Sequence, residues 1–323
     1  MQSKYFNYLL FAAIGILCAE FLSLSTPFTL LSPFLYWGYG LLYLLLFHII
    51  IKYNLRDFKS YYLLGLFIGI ITETFITKVL YNVPWHPEGM KVLGFGIIDS
   101  LALTLFWHPV LAFAVPVLIS NYYFGFPNPK GVISRKRMNI LVGILPLFVV
   151  SQSISANVNI FSILSGMAVN FVVLTAYIFL FRRFSSDKIM LSKKTLFFIL
   201  FFIIISFGFA YFTLVPYFPS PLTLGITFAI IGIFLLLNYL NIKQNKNNPA
   251  KSKKPSFQWK GYLLYIGYFL AFFILLNRFF ILFPQPPILF MIFFLFLMVL
   301  GTGYFLLITL GIVKALIIQG KKQ

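Results

Sequence analysis

From Phe197 to Phe209 the chain carries no ionisable side chain, and several comparable apolar runs stand elsewhere along it. A stretch of this kind has no polar face to turn toward water. In a lipid interior only a helix satisfies every backbone N–H and C=O within its own segment. Transmembrane barrel strands alternate apolar and polar residues, and these runs do not. The sequence therefore predicts an all-α polytopic transmembrane bundle.

Composition sets the number of crossings. Of 323 residues, 61% are hydrophobic and 10% charged, where a water-soluble domain carries about 25% charged residues. At about 20 apolar residues per crossing, the supply suits roughly ten spans. Their expected positions are 6–24, 34–51, 61–80, 93–121, 139–156, 160–181, 195–214, 222–240, 261–282 and 288–313. The opening segment lacks the small residues of a signal cleavage site around Cys18-Ala19-Glu20, so it reads as a retained first helix. The fourth contains Pro109 and Pro116, each of which removes a helix hydrogen bond, and a kink is expected there.

Charge gives the orientation. The net charge of +19 arises from 25 Lys+Arg against 6 Asp+Glu. All but Lys78, Lys91 and Arg278 lie at the termini or in alternate connections, beside Lys52, Lys136, Arg182 and Lys253. Positive loops stay in the cytoplasm, so both termini are expected there, in a multi-pass protein of the cell membrane. Basic residues spent on orientation argue against nucleic acid as a partner. One cysteine and three scattered histidines offer no metal-ligand spacing, and no cofactor is expected. The polar stretch 241–260 reads as a basic cytoplasmic linker. The resulting organisation is 1–125 bearing the polar residues, 126–240 apolar, the linker 241–260, and two final helices with a basic tail over 261–323.

Ionisable groups inside the membrane are costly and normally face a cavity or a partner. Asp57 and Asp187 fall in basic loops and read as solvated counter-charges. Glu20, Glu73, Asp99 and His108 fall within the first four predicted helices, and Glu88 and His86 share the outer loop before the fourth. Gly65, Gly69 and Glu73 recur every four residues and so share one helix face. Glycines at that spacing allow close helix contact and would turn Glu73 into the bundle. No basic residue stands three or four positions from Glu73 to neutralise it. Glu73, His108 and Asp99 are thus the candidate reactive residues. Glu20, Thr72, Thr77 and Lys78 are candidates for substrate binding. Asp99 and His108, nine residues apart, should face opposite sides of a straight helix. His48 reads as interfacial, and Gly301 and Gly303 as a packing or flexing point.

The segment Gly65–Gly69–Thr72–Glu73, then Lys78, the Pro84-Trp85 loop and Leu105-Phe106-Trp107-His108-Pro109, resembles a group of prokaryotic multi-pass proteins with a G-x-x-x-G-x-x-E-E helix, a Pro-Asn-Trp-type loop and a later Phe-His pair. Glu20 with Ser25-Thr26-Pro27 fits that group. More remotely the segment resembles the CAAX-protease and bacteriocin-processing family, which implies water activation by a glutamate and histidines. Thr72 stands where that family has its first motif's leading glutamate. Lys78 is one position beyond the expected arginine, and Thr104 replaces the second motif's phenylalanine. Two activities therefore stand open: a small-substrate or proton-coupled transporter using Glu73, Asp99 and His108 as an ion site, and an intramembrane hydrolase of peptides or lipids with Glu73 as base and His108 as acid. A non-catalytic lipid-binding or scaffold protein is the third reading. Membrane lipids are the expected partners in each, with a small-molecule, lipid or peptide substrate in the first two.

Overall fold

The computed structural model describes residues 33–76, 78–81, 91–119, 121–122, 134, 136–140, 191–213, 218–245 and 287–320, with isolated positions between 267 and 278. It is mostly helical. In chain order the elements are α1 (Pro33–Lys52), α2 (Phe58–Phe75), a hairpin of β1 (Lys91–Val92) and β2 (Phe95–Gly96), α3 (Ile97–Ala102), a π-helix (Leu103–Ala114), α4 (Val115–Ile119), α5 (Lys193–Thr213), α6 (Pro221–Asn245) and α7 (Pro287–Gly320). Four described stretches are long and apolar enough to cross a membrane: Ser100–Leu118, Lys193–Thr213, Pro221–Asn245 and Leu295–Ala315.

The chain divides into two compact units. The first holds Met1–Lys52, Leu111–Ile199 and Ala250–Phe290. Within it the Tyr43 hydroxyl donates to the Ala112 carbonyl, and Tyr43 packs on Phe47 and Phe113. His48, expected at the interface, is instead buried, and its Nδ1 accepts from the Leu191 N–H at 3.2 Å. An α1 side chain thereby pairs a backbone donor of the segment that leads into α5.

The second unit holds Tyr53–Val110, Leu200–Pro249 and Met291–Gln323. Its core joins Tyr62, Leu63, Leu66 and Ile70 of α2 to Leu105, to Phe234 and Leu237 of α6 and to Ile308 and Ile312 of α7. Helix α2 begins three residues earlier than expected because Asp57 caps it, accepting from the Ser60 N–H at 2.6 Å. Asp57 is thus a helix cap rather than a loop counter-charge, its oxygen meeting an otherwise unpaired first-turn donor. The helix ends at Phe75, so Lys78 lies beyond it in the left-handed region at φ 53°.

The expected helix over 93–121 is also revised at its start. Leu93 and Gly94 have φ of 53° and 85°, the conformation that closes a two-residue hairpin, and Lys91 and Val92 pair with Gly96 and Phe95. Leucine in a left-handed turn carries a conformational cost that no sequence pattern announces. A β-carbon on Gly94 would lie 2.5 Å from the Thr223 Oγ1 of α6, and that hydroxyl donates to the Leu93 carbonyl at 3.0 Å. The hairpin is docked through its own backbone.

Pro109 does not end the helix; it lies inside the π-helix. Proline takes away one donor and crowds the preceding turn, and the wider turn of a π-helix accommodates both. Helix α6 runs to Asn245, past the expected start of the linker at 241. Asn241 is buried there, and its side-chain amide donates to the Ser60 Oγ at 2.8 Å. Helix α7 continues through Gly301 and Gly303 without a break.

Candidate functional site

Within the second unit α2 meets the π-helix at Gly69. A β-carbon at Gly69 would stand 2.7 Å from the His108 Cβ, so only a residue without a side chain permits this approach. One helical turn further along the same face lies Glu73. Its Oε1 is 2.5 Å from the His108 Nε2, and the two residues are 4% and 5% exposed. The four-residue spacing read from the sequence has this consequence: the glycine brings the helices together and the carboxylate lands on the imidazole.

An imidazole N–H donating to a carboxylate and an imidazolium–carboxylate pair differ by one proton. The first form carries a net charge of −1 and the second of 0. The second ring nitrogen, Nδ1, has no hydrogen-bond partner among the described residues, and the same holds for the Thr72 and Thr104 hydroxyls. Thr72 adjoins Glu73 in sequence, and Thr104 is four residues before His108. Buried polar atoms are nearly always satisfied, so these three, one of them on the pair itself, leave polar capacity unspent on the two helices that carry it.

The other expected residues distribute differently. Asp99 lies in the first turn of α3 rather than two turns into a longer helix, because the hairpin occupies the preceding residues. Lys78 is fully buried, with its Nζ 4.3 Å from the Tyr211 ring centroid and 4.5 Å from that of Phe218. Its cation faces two rings and fixes the chain after α2 to the end of α5. Glu20 and Thr77, and also His86 and Glu88, lie outside the described residues.

Polar residues that the census of charges passed over also build this unit. Asn238 donates from one amide nitrogen to the Leu63 and Phe234 carbonyls at 2.8 and 2.9 Å. Tyr81 and Thr227 share a hydrogen bond of 2.8 Å. Thr223, Thr227, Asn238 and Asn241 form a buried stripe on α6, readable as i, i+4 and i, i+3 steps on one helix face. Tyr62 was concealed by being aromatic among many aromatics. Its hydroxyl donates to the Leu105 carbonyl at 2.7 Å and lies 3.2 Å from that of Gly301.

A family model described as an uncharacterized membrane protein family matches residues 9–319 of the chain. An uncharacterized protein of Archaeoglobus fulgidus is 26% identical over 286 residues, which cover 83% of this chain and 88% of the relative. No solved structure matches.

Proposed function

The chain belongs to this family of membrane proteins, and from that premise we propose that it is a proton-coupled carrier of a small polar substrate, with Glu73 and His108 as the proton site. The observation that carries the reading is the 2.5 Å contact between the two side chains in a buried position. An ionisable pair inside an apolar bundle is costly to maintain, and gaining or losing one proton changes its charge without moving a large group. The His108 Nδ1 and the Thr72 and Thr104 hydroxyls, without hydrogen-bond partners among the described residues, supply donors and acceptors for a polar guest. In this reading Lys78 and Asp99 bias the approach of charged substrates.

The carrier is a multi-pass protein of the cell membrane with about ten spans and both termini in the cytoplasm. Cys18 is the single cysteine, so Cys18→Ser gives a clean background for labelling. A cysteine at Lys193 should react with a membrane-impermeant thiol reagent only from inside, and one at Ser220 only from outside. Reaction of both from the same side would overturn the topology.

The activity is tested in proteoliposomes enclosing a pH-sensitive dye, under an imposed membrane potential, with pools of small polar metabolites added outside. At least one pool should drive proton entry, and Glu73→Gln and His108→Ala should abolish it while the proteins remain folded. Proton entry that survives both substitutions would rule the pair out. Cleavage of peptides or lipids in the absence of any gradient would replace transport with hydrolysis.

A further inference from the structure

The contact between the Glu73 Oε1 and the His108 Nε2 is a single hydrogen bond and holds one proton between its two atoms. A carboxylate only accepts, so in the singly protonated pair Nε2 carries the hydrogen. The bond made by one ring nitrogen sets the state of the other. Nδ1 is then a bare lone pair, and it has no hydrogen-bond partner among the described residues. Imidazole is ordinarily a stronger base than a carboxylate, so a second proton goes to Nδ1. Gaining it converts that atom from an acceptor into a donor, while Nε2 keeps its bond to Glu73.

A second donor stands on the same helix face. Thr104 precedes His108 by four residues, close to one turn of a π-helix, whose hydrogen bonds join residues five apart. A threonine inside a helix commonly returns its hydroxyl to the carbonyl four residues back, as Thr213, Thr227 and Thr309 do here. The Thr104 Oγ1 does not, and it has no other partner among the described residues. Thr104 and His108 are both buried. Glu73 is the ion-pair partner of His108. Tyr61–Phe75 of α2, the π-helix itself, and residues 226–240 of α6 and 304–312 of α7 contain no other acid, lysine, arginine or histidine. Within these stretches, the charge of anything bound at Nδ1 is met by the pair alone.

We propose that the proton-loaded pair binds a small monocarboxylate, one oxygen accepting from the His108 Nδ1–H and the other from the Thr104 hydroxyl, so that the anion and one proton are taken up together. This rests on the Glu73–His108 pair being the working site and names the class of its guest. A bond from an imidazolium N–H to a carboxylate is charge-assisted and roughly twice as strong as a neutral one. Without the second proton the Nδ1 lone pair faces the carboxylate, and the pair's own charge of −1 repels it. A primary ammonium behaves in the opposite sense, suiting the bare lone pair and being displaced by the proton. With proton and monocarboxylate bound, the site carries a net charge of −1, the same as the empty deprotonated pair, so loading buries no additional net charge in the bundle.

The test is equilibrium binding to the full-length protein in phosphatidylcholine vesicles, with acetate as the probe and methylammonium, of matching size and opposite charge, beside it. With three histidines in the chain, ¹⁵N-histidine resonances are assignable by substitution. Acetate should raise the pH at which the His108 Nδ1 gains its proton. Its affinity should fall about tenfold for each pH unit above that midpoint, since one proton accompanies each anion. Thr104→Val, which keeps the side chain's shape, should weaken acetate about tenfold, the loss of one hydrogen bond to a charged group, and His108→Ala should abolish binding. Acetate affinity that ignores pH, or a midpoint moved by methylammonium and not by acetate, would overturn the proposal. A response to laurate dissolved in the bilayer with none to acetate would make the guest a lipid acid and overturn it equally. Should His108→Ala fail to fold, Thr104→Val decides, because an unchanged acetate affinity in that variant removes the second donor from the site. Binding is read without transport. If proton flux survives Glu73→Gln, the carrier reading fails by itself, and the pH dependence of acetate binding still judges the site.

Discussion

Gly69 and His108 approach so closely that the space for one β-carbon between them is missing: it would fall 2.7 Å from the His108 Cβ. The atom in the way is the root of the imidazole side chain, which no rotamer change moves. Relief requires separating α2 from the π-helix, and with them Glu73 from His108.

Gly69→Ala should therefore destabilise the protein by about 1–3 kcal/mol, the usual cost of overpacking. The better helix propensity of alanine, about 1 kcal/mol, does not offset it. Thermal unfolding in detergent measures the loss, and the His108 Nε2 resonance should report a weakened contact with Glu73. A neutral substitution with an unchanged resonance would contradict the close approach.

The buried pair gives a second prediction, in which stability and activity part company. Glu73→Leu alone leaves the imidazole facing no acceptor and should cost about 3 kcal/mol, as removal of one partner of a buried pair commonly does. Glu73→Leu combined with His108→Leu should recover most of that stability, because the polar burial is removed as a whole. Proton flux should be absent in both. A double variant less stable than either single one would show that the two side chains contribute independently.

On α6, Asn238→Leu with Asn241→Leu removes the amide bonds to the Leu63 carbonyl and the Ser60 hydroxyl. Interhelical hydrogen bonds in membranes are each worth about 0.6 kcal/mol on average, so a loss of about 1 kcal/mol for the pair is expected. The Glu73–His108 pair should keep its His108 resonance. Loss of that resonance would place the α6 seam within the machinery of the site.

Lys78 should behave as a cation rather than as an aliphatic spacer. Its Nζ faces the Tyr211 and Phe218 rings at 4.3 and 4.5 Å, and a desolvated contact of this kind contributes about 2 kcal/mol. Lys78→Met should lower the unfolding temperature, while Lys78→Arg retains most of it. Equal losses in the two variants would point to shape rather than charge.

Much of the candidate site was legible because membrane insertion filters residues one segment at a time. Glu73 and His108 stood out as ionisable groups in apolar runs, and the Gly65, Gly69, Glu73 spacing gave the face they share. Tyr62 and Asn238 did not stand out, since an aromatic or a neutral amide costs too little in such a run to be singled out. The hairpin at Leu93-Gly94 escaped because its residues are as apolar as those of the helix expected there. Its turn is stabilised by Thr223, 130 residues away.

The chain alone determined that this is a helical membrane protein and which residue types it keeps in its apolar interior. Both follow from transfer free energies that add up locally along the sequence. Only the tertiary structure decided that Glu73 meets His108 across 35 residues, that Pro109 lies inside a helix instead of ending it, and that the Tyr62 hydroxyl donates to the Leu105 carbonyl. Those outcomes depend on where one helix crosses another. The crossing is set by missing side chains at Gly69 and Gly301 together with contacts distant in sequence, and no window along the chain contains them.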